Sequence, residues 1–532
     1  MAASYSSGPS TQPLLGDTIG GLLARIAAEH PGREALVVRH QGVRLTFAEL
    51  DAQTDRLARA LVASGLDRGD RVGIWSPNCA EWTLVQYATA KAGLILVNVN
   101  PAYRTHELGY VLAQSGMRML VAARDTRGEP TSPMIDEARP ETLEQVVLLD
   151  TDDWPGLIAA GDDESVRLPD DLDVDDEINI QYTSGTTGSP KGATLTHHNI
   201  VNNALFVGAL CGYDETDRVC VPVPFYHCFG MVMGVLGAHT HGACTVVPAP
   251  SFDPAATLAT IAEEGCTSLY GVPTMFIAML ADPALAGTDL ASLRTGIMAG
   301  SPCPVEVMKR VTAEMHMPEV TIAYGMTETS PVSTQSRVDD DLERRVSTVG
   351  RVHPHVEVKV VDPLTGATVE RGQAGELCTR GYSVMRGYWD EPEKTAEVLD
   401  RAGWMHTGDL ATMDAEGYVA IVGRSKDMVI RGGENIYPRE VEEFLYSHPD
   451  VADVQVIGVP DERYGEELMA WVVLRAGAEP LTADAVREFC SGKLSHYKIP
   501  RYVHVVDGFP MTVTGKVRKV EMRAQAEQIL GS

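Results

Sequence analysis

Residues 183–192 read Thr-Ser-Gly-Thr-Thr-Gly-Ser-Pro-Lys-Gly, and the preceding Ile178-Asn-Ile-Gln-Tyr182 reads as a strand. A strand that runs into a loop of this make-up ties the chain to an α/β layout. Such proteins bind nucleotides where loops leave the carboxyl ends of sheet strands. Gly185 and Gly188 let the backbone come close to a ligand, and their NH groups can line a concave anion site. Thr183, Ser184, Thr186 and Thr187 offer hydroxyl donors to phosphate oxygens, and Lys191 adds a charge on a flexible stem. The run is not a P-loop, which needs Gly-Lys-Ser/Thr in succession; Ser189 and Pro190 separate Gly188 from Lys191. A solvated turn is the competing reading, and a match over ten residues weighs against it.

The rest of the chain supports that layout. Phe47–Ser64 places Leu50, Leu57, Leu61 and Val62 on one helical face, and Arg71–Trp75 then reads as a strand. The alternation repeats at Leu94–Val99 and Met119–Ala122, which predicts a layered α/β domain. Residues 161–177 hold nine acids and one arginine and read as a surface connection. Three apolar stretches end in small-residue loops: Thr267–Gly271, Leu293–Gly300 and Val320–Gly325. Strands that converge in this way form a crevice at their carboxyl ends. Val356–Arg380 changes to short alternating strands, predicting a small β subdomain. Beyond Lys426, a helix over Pro438–Tyr446 and strands at Val454–Val459 and Met469–Leu474 predict a separate small domain. The division expected is a disordered tail over 1–16, a large domain over 17–423, a hinge over 424–426 and a lid over 427–532.

A chain of 532 residues has ample length for more than one core. Its net charge of −29 argues against a nucleic-acid partner, because phosphate binding relies on an excess of Lys and Arg. Residues 491–520 are the exception. Lys493, Lys498, Arg501, Lys516, Arg518 and Lys519 stand there against Asp507 alone, suggesting a local positive surface for a phosphate ligand. Nine cysteines without a C-x-x-C pair fit reduced thiols in a cytoplasm. Residues 1–16 carry no signal-peptide pattern, and no apolar run is long enough to span a membrane.

The phosphate-type loop resembles that of the adenylate-forming superfamily: acyl-CoA synthetases, peptide-synthetase adenylation domains and beetle luciferases. Four further segments match the family in order: Tyr324-Gly-Met-Thr-Glu328, Trp404-Met-His-Thr-Gly-Asp409, Gly423-Arg-Ser-Lys-Asp427 and Pro510–Lys519. The resemblance spans about residues 20–525 and implies an α/β enzyme. Its large N-terminal domain has two α/β layers and a small β subdomain, and its small α+β C-terminal domain is mobile. It implies ATP, Mg²⁺ and CoA as ligands and a small carboxylic acid as substrate. By resemblance, residues 183–191 meet the β- and γ-phosphates, Thr327 meets the α-phosphate and Glu328 holds Mg²⁺, a hard cation suited to oxygen ligands. Gly300, Ser301, Pro302, Tyr324 and Gly325 belong to the adenine side. Asp409 and Arg424 reach the ribose, and Lys426 is the hinge.

A carboxylate is a poor acyl donor until AMP gives it a leaving group, and adenylation is chiefly positioning and charge neutralisation. The resemblance gives that charge to Lys516, which would bridge the carboxylate and the α-phosphate. In Pro224–Gly230, His227 resembles the residue flanking the acyl and thiol channels, though a buried structural histidine is the alternative. The turn Gly432-Gly433-Glu434-Asn435 resembles the loop lining the pantetheine tunnel. Gly325 stands where acetate-specific relatives carry tryptophan, implying room for a longer acid. Ser76–Cys79, Asn100–Tyr103 and the Pro224–His227 run are most similar to medium- and long-chain fatty-acyl-CoA synthetases. A luciferase-like oxygenase, an enzyme loading a separate acyl carrier protein and a non-catalytic binder stay open, as does a homodimer.

Overall fold

The computed structural model describes every residue except 1, 127, 184–189, 302, 425, 433, 462, 512–516 and 532, and the backbone alone of Asn435. Ser184, Gly185, Thr186, Thr187, Gly188, Pro302, Gly433 and Lys516 therefore lie outside the described residues.

Helix Phe47–Ala63 shows how local chemistry sets the elements. Thr46 accepts a hydrogen bond from the Glu49 amide at 3.2 Å, while Glu49 accepts one from the Thr46 amide at 2.8 Å. This reciprocal cap satisfies two of the donors orphaned at the helix start. Phe47, Leu50, Leu57 and Leu61 are then buried along one face.

Residues 5–424 build three large sheets and a two-stranded ribbon of Asp125–Thr126 with Glu129–Pro130. A seven-stranded sheet runs Gly387–Tyr388, Lys191–Thr196, Glu177–Thr183, Ile95–Asn98, Arg71–Trp75, Met119–Ala122 and Gln145–Leu148. Its last five strands are parallel, while Lys191–Thr196 folds back antiparallel on Glu177–Thr183. A nine-stranded sheet holds Ser268–Gly271, Thr295–Ala299 and Glu319–Gly325 as parallel neighbours in step. The three strands expected to converge are thus adjacent, with their carboxyl ends on one side of the sheet. The third sheet has five strands, all antiparallel, and includes Val356–Val361, Gly375–Gly381, Met405–Met413 and Val419–Arg424. The small C-terminal unit has a core of its own around Val456, Leu468, Ala470 and Val472. Helix Pro438–Leu445 rests on the large unit through Arg439, which donates to the Ile421 carbonyl at 3.0 Å.

The tail expectation is overturned. Tyr5–Ser7 forms an antiparallel strand against Glu357–Lys359, and Ser4 is buried. The segment is polar, so its pattern announces no core strand, yet the open edge of Val356–Val361 offers unpaired backbone groups that it satisfies. All nine cysteines are buried free thiols. Among the described residues, no helix is long and apolar enough to cross a membrane.

Candidate active site

The three sheets meet at the carboxyl end of strand Glu319–Gly325. From that strand, the half-buried Tyr324 donates its hydroxyl to Asp409 Oδ2 at 2.7 Å. Asp409 lies directly opposite Arg424 across two antiparallel strands, and Arg424 Nε donates to its Oδ1 at 3.1 Å. Thr407 Oγ accepts from the Asp409 amide at 3.1 Å and donates to the Leu377 carbonyl at 2.7 Å, fixing the acid's approach. Burial, and then the Asp409 charge, hold the Tyr324 hydroxyl well above its ordinary pKa, so it remains a donor.

Just beyond Tyr324 the chain makes a tight turn over Thr327–Thr329, with both Thr327 and Glu328 buried. Thr329 holds this turn by accepting from the Met326 amide at 3.1 Å and donating to the Pro331 carbonyl at 2.9 Å. Glu328 Oε1 accepts the Tyr388 hydroxyl at 2.8 Å. The other carboxylate oxygen takes no hydrogen bond from a described residue. A buried carboxylate with one oxygen committed is a donor set that fits a hard divalent cation. The face of Tyr388 also carries Lys191, whose Nζ lies 5.0 Å from the ring centroid. Lys191 stands in register opposite Thr183, so the two feet of the 184–190 loop are a cross-strand pair.

His227 lies on the same side. Its Nδ1 accepts the Phe229 amide at 3.2 Å, which places the proton of the neutral ring on Nε2. Cys228 Sγ is 3.7 Å from His227 Nδ1 and 3.8 Å from Thr327 Oγ1, so His227 and Thr327 are neighbours across one thiol. Behind them runs a buried amide ladder. Gln181 donates to Asn179 at 2.7 Å, Asn179 to Asn98 at 2.9 Å and Asn98 to the Tyr226 carbonyl at 3.0 Å. Gly300 has φ +90°, a conformation that favours glycine, and Ser301 beside it is half-buried. Gly432 (φ +61°) turns within the small unit, where its amide donates to the Tyr464 carbonyl at 2.8 Å. The structure thus gathers Lys191, His227, Tyr324, Thr327, Glu328, Asp409 and Arg424. Gly432 has no hydrogen bond to that group among the described residues. Lys426 lies in a turn closed by the Asp427 amide on the Arg424 carbonyl at 3.0 Å.

One glycine has a local cause, and one expectation is corrected. A Cβ on Gly325 would sit 1.8 Å from the Pro331 carbonyl oxygen, so the passing backbone by itself requires glycine there. Among its described residues, the basic stretch is not an open positive surface. Lys498 pairs with Glu440 at 2.6 Å, Arg501 with Asp461 at 2.8 Å and Lys519 with Glu442 at 2.6 Å. Arg518 pairs with Glu521, and Lys493 lies over the Phe489 ring. In a chain this acidic, distant carboxylates fold back onto a locally basic segment, and a count along the sequence does not see them. Tyr388 and the Asn98–Asn179–Gln181 ladder escaped the reading of the sequence. The one available signal for the ladder was amide side chains inside apolar strands. Tyr388 carried none, because only the antiparallel return of residues 191–196 brings it to Glu328.

The chain belongs to the AMP-binding enzyme family: the family model matches residues 23–389, and that of the AMP-binding enzyme C-terminal domain matches residues 440–516. Among similar proteins, YngI of Bacillus subtilis (strain 168) is 48% identical over 535 residues, covering 96% of this chain and 97% of its own. The mitochondrial medium-chain acyl-CoA ligase ACSF2 of Danio rerio is 44% identical, covering 100% of this chain and 92% of its own. The crystal structure of ATP-bound MatB from Rhodopseudomonas palustris aligns with a TM-score of 0.87 at 32% identity, over 96% of this chain and 100% of that one.

Proposed function

We propose that the protein is an ATP-dependent carboxylic acid–CoA ligase acting on a medium- or long-chain fatty acid or a similarly hydrophobic acid. The observation that carries this reading is the joining of two groups, Tyr324–Asp409–Arg424 and Lys191–Tyr388–Glu328, at one strand end in a chain that matches an acyl-CoA ligase along its whole length. The acid's oxygen attacks the α-phosphorus of ATP as the bond to pyrophosphate breaks, and the CoA sulfur then attacks the acyl carbon and AMP leaves. Asp409 and Arg424 orient the ribose, while Tyr324 gives the adenine a flat face. Thr183, Ser184, Thr186, Thr187 and Lys191, with the amides of Gly185 and Gly188, bind the outer phosphates. Thr327 donates to the α-phosphate. His227, held by the Phe229 amide, sits between the phosphate turn and the acyl channel. Glu328 would hold Mg²⁺, which supplies charge neutralisation on the phosphates when bound.

The test is a panel of acids from acetate to long-chain fatty acids, followed by pyrophosphate release and thioester formation with and without CoA. The expected result is acid-dependent pyrophosphate release and a thioester only when CoA is present, strongest for medium or longer chains. Activity only with a carrier protein, or light emission with O₂ uptake, would replace the reading, and no acid-dependent pyrophosphate would refute it.

Lys516 and the turn at Gly432–Gly433 serve different half-reactions, and rotation at Lys426 alternates them. Proline fixes φ near −65° and removes a donor, so Lys426→Pro is expected to keep adenylation while losing most thioester formation. Assaying the half-reactions separately decides it. Equal loss in both would mean mere destabilisation, and retention of both would place the pivot elsewhere.

A further inference from the structure

The segment Met385–Trp389 is fastened along its length to the site. The Arg386 and Trp389 amides donate to the carbonyls of Thr194 at 3.0 Å and Gly192 at 2.7 Å, in the strand that begins at Lys191. On the other side, the Met385 amide donates to the Glu328 carbonyl at 2.9 Å, and the Tyr388 hydroxyl donates to the Glu328 carboxylate at 2.8 Å. Glu328 is therefore gripped at backbone and side chain by one short segment. Tyr388 is itself buried, at 7% exposure, and its ring carries the Lys191 ammonium.

From this geometry we infer that Tyr388 is a positioning residue whose hydroxyl sets the Glu328 carboxylate for a divalent cation at the triphosphate. This rests on the reading of Glu328 as the cation's ligand. A carboxylate can turn about its own axis and offer either oxygen. A donor fixed on Oε1 stops that rotation and presents Oε2, the part that outer hydrogen-bond partners play for ligating carboxylates. Tyr388 also places a cation beside the triphosphate, since its ring face holds Lys191.

Tyr388→Phe keeps the ring and the Lys191 contact and removes the hydroxyl alone. The experiment titrates Mn²⁺ into the ATP complex without acid substrate, reading bound ion by electron paramagnetic resonance, for wild type, Y388F and E328Q. Binding of metal-free ATP in EDTA is measured by calorimetry alongside. Loss of a partner that orients a metal ligand weakens metal affinity by about 10- to 100-fold, and Y388F should fall in that range while metal-free ATP binds within about twofold of wild type. Weakening in E328Q but not in Y388F overturns the inference and leaves the reading of Glu328 intact. No weakening in E328Q removes that reading and the inference with it. Parallel loss of metal-free ATP binding in Y388F shows a structural role and also overturns the inference.

Discussion

Replacing Lys516 with alanine is expected to lower acyl-adenylate formation by about two to three orders of magnitude, because one charge-stabilising contact in a transition state contributes ~3–4 kcal/mol. The rationale is electrostatic. A carboxylate attacking a phosphate brings two anions together, and a mobile ammonium between them offsets the charge that builds. Lys516 is outside the described residues, but both flanks of its segment are anchored. Met511 bridges Val517, the Arg518 amide donates to the Pro510 carbonyl at 2.8 Å, and Lys519 Nζ donates to the Val456 carbonyl at 3.0 Å. Alanine at 516 leaves those anchors untouched, so the expected loss is chemical and not structural. Thioester formation from a supplied acyl-adenylate should survive far better, since that step no longer joins two anions. Pyrophosphate release near the wild-type rate in K516A would remove Lys516 from the adenylation step.

Gly325→Ala costs the fold about 3 kcal/mol, the upper end of what overpacking usually takes. The added methyl would meet the Pro331 carbonyl oxygen at 1.8 Å and the Val332 Cα at 3.0 Å, backbone atoms that cannot swing aside as a side chain would. The turn carrying Thr327 and Glu328 lies between these two segments and moves with them. Gly16→Ala, at an exposed glycine with nothing within 4 Å, is the matched control and should be silent. Thermal unfolding measured on both variants gives the comparison, with a fall of several degrees expected for the first. Gly325→Trp should lose acetate-sized and octanoate-sized acids together. A selective gain for the short acid would instead support the gate that the resemblance suggested.

Much of this protein could be read from residues in order, where the governing interactions are local. The strand Glu177–Thr183, the helix Phe47–Ala63 and the three strands ending at Gly271, Ala299 and Gly325 follow from apolar period and small-residue loops. Tyr324, Glu328 and Asp409 became candidate site residues through resemblance, since each sits in a short contiguous run that matches a family motif. Tertiary structure decided whatever depends on a partner distant in sequence. The Tyr388 hydroxyl meets Glu328 sixty residues away, and the basic residues after 491 meet acids in other elements. Tyr5–Ser7 finds its sheet more than three hundred residues downstream. Gly325 was legible as a glycine but not as to why, because the atom that forbids a side chain is a backbone carbonyl brought back by the turn after Ser330. Local patterns specify which conformations a segment prefers. Charge compensation, steric exclusion and edge pairing are properties of distance in space, and they exist only once the chain has closed on itself.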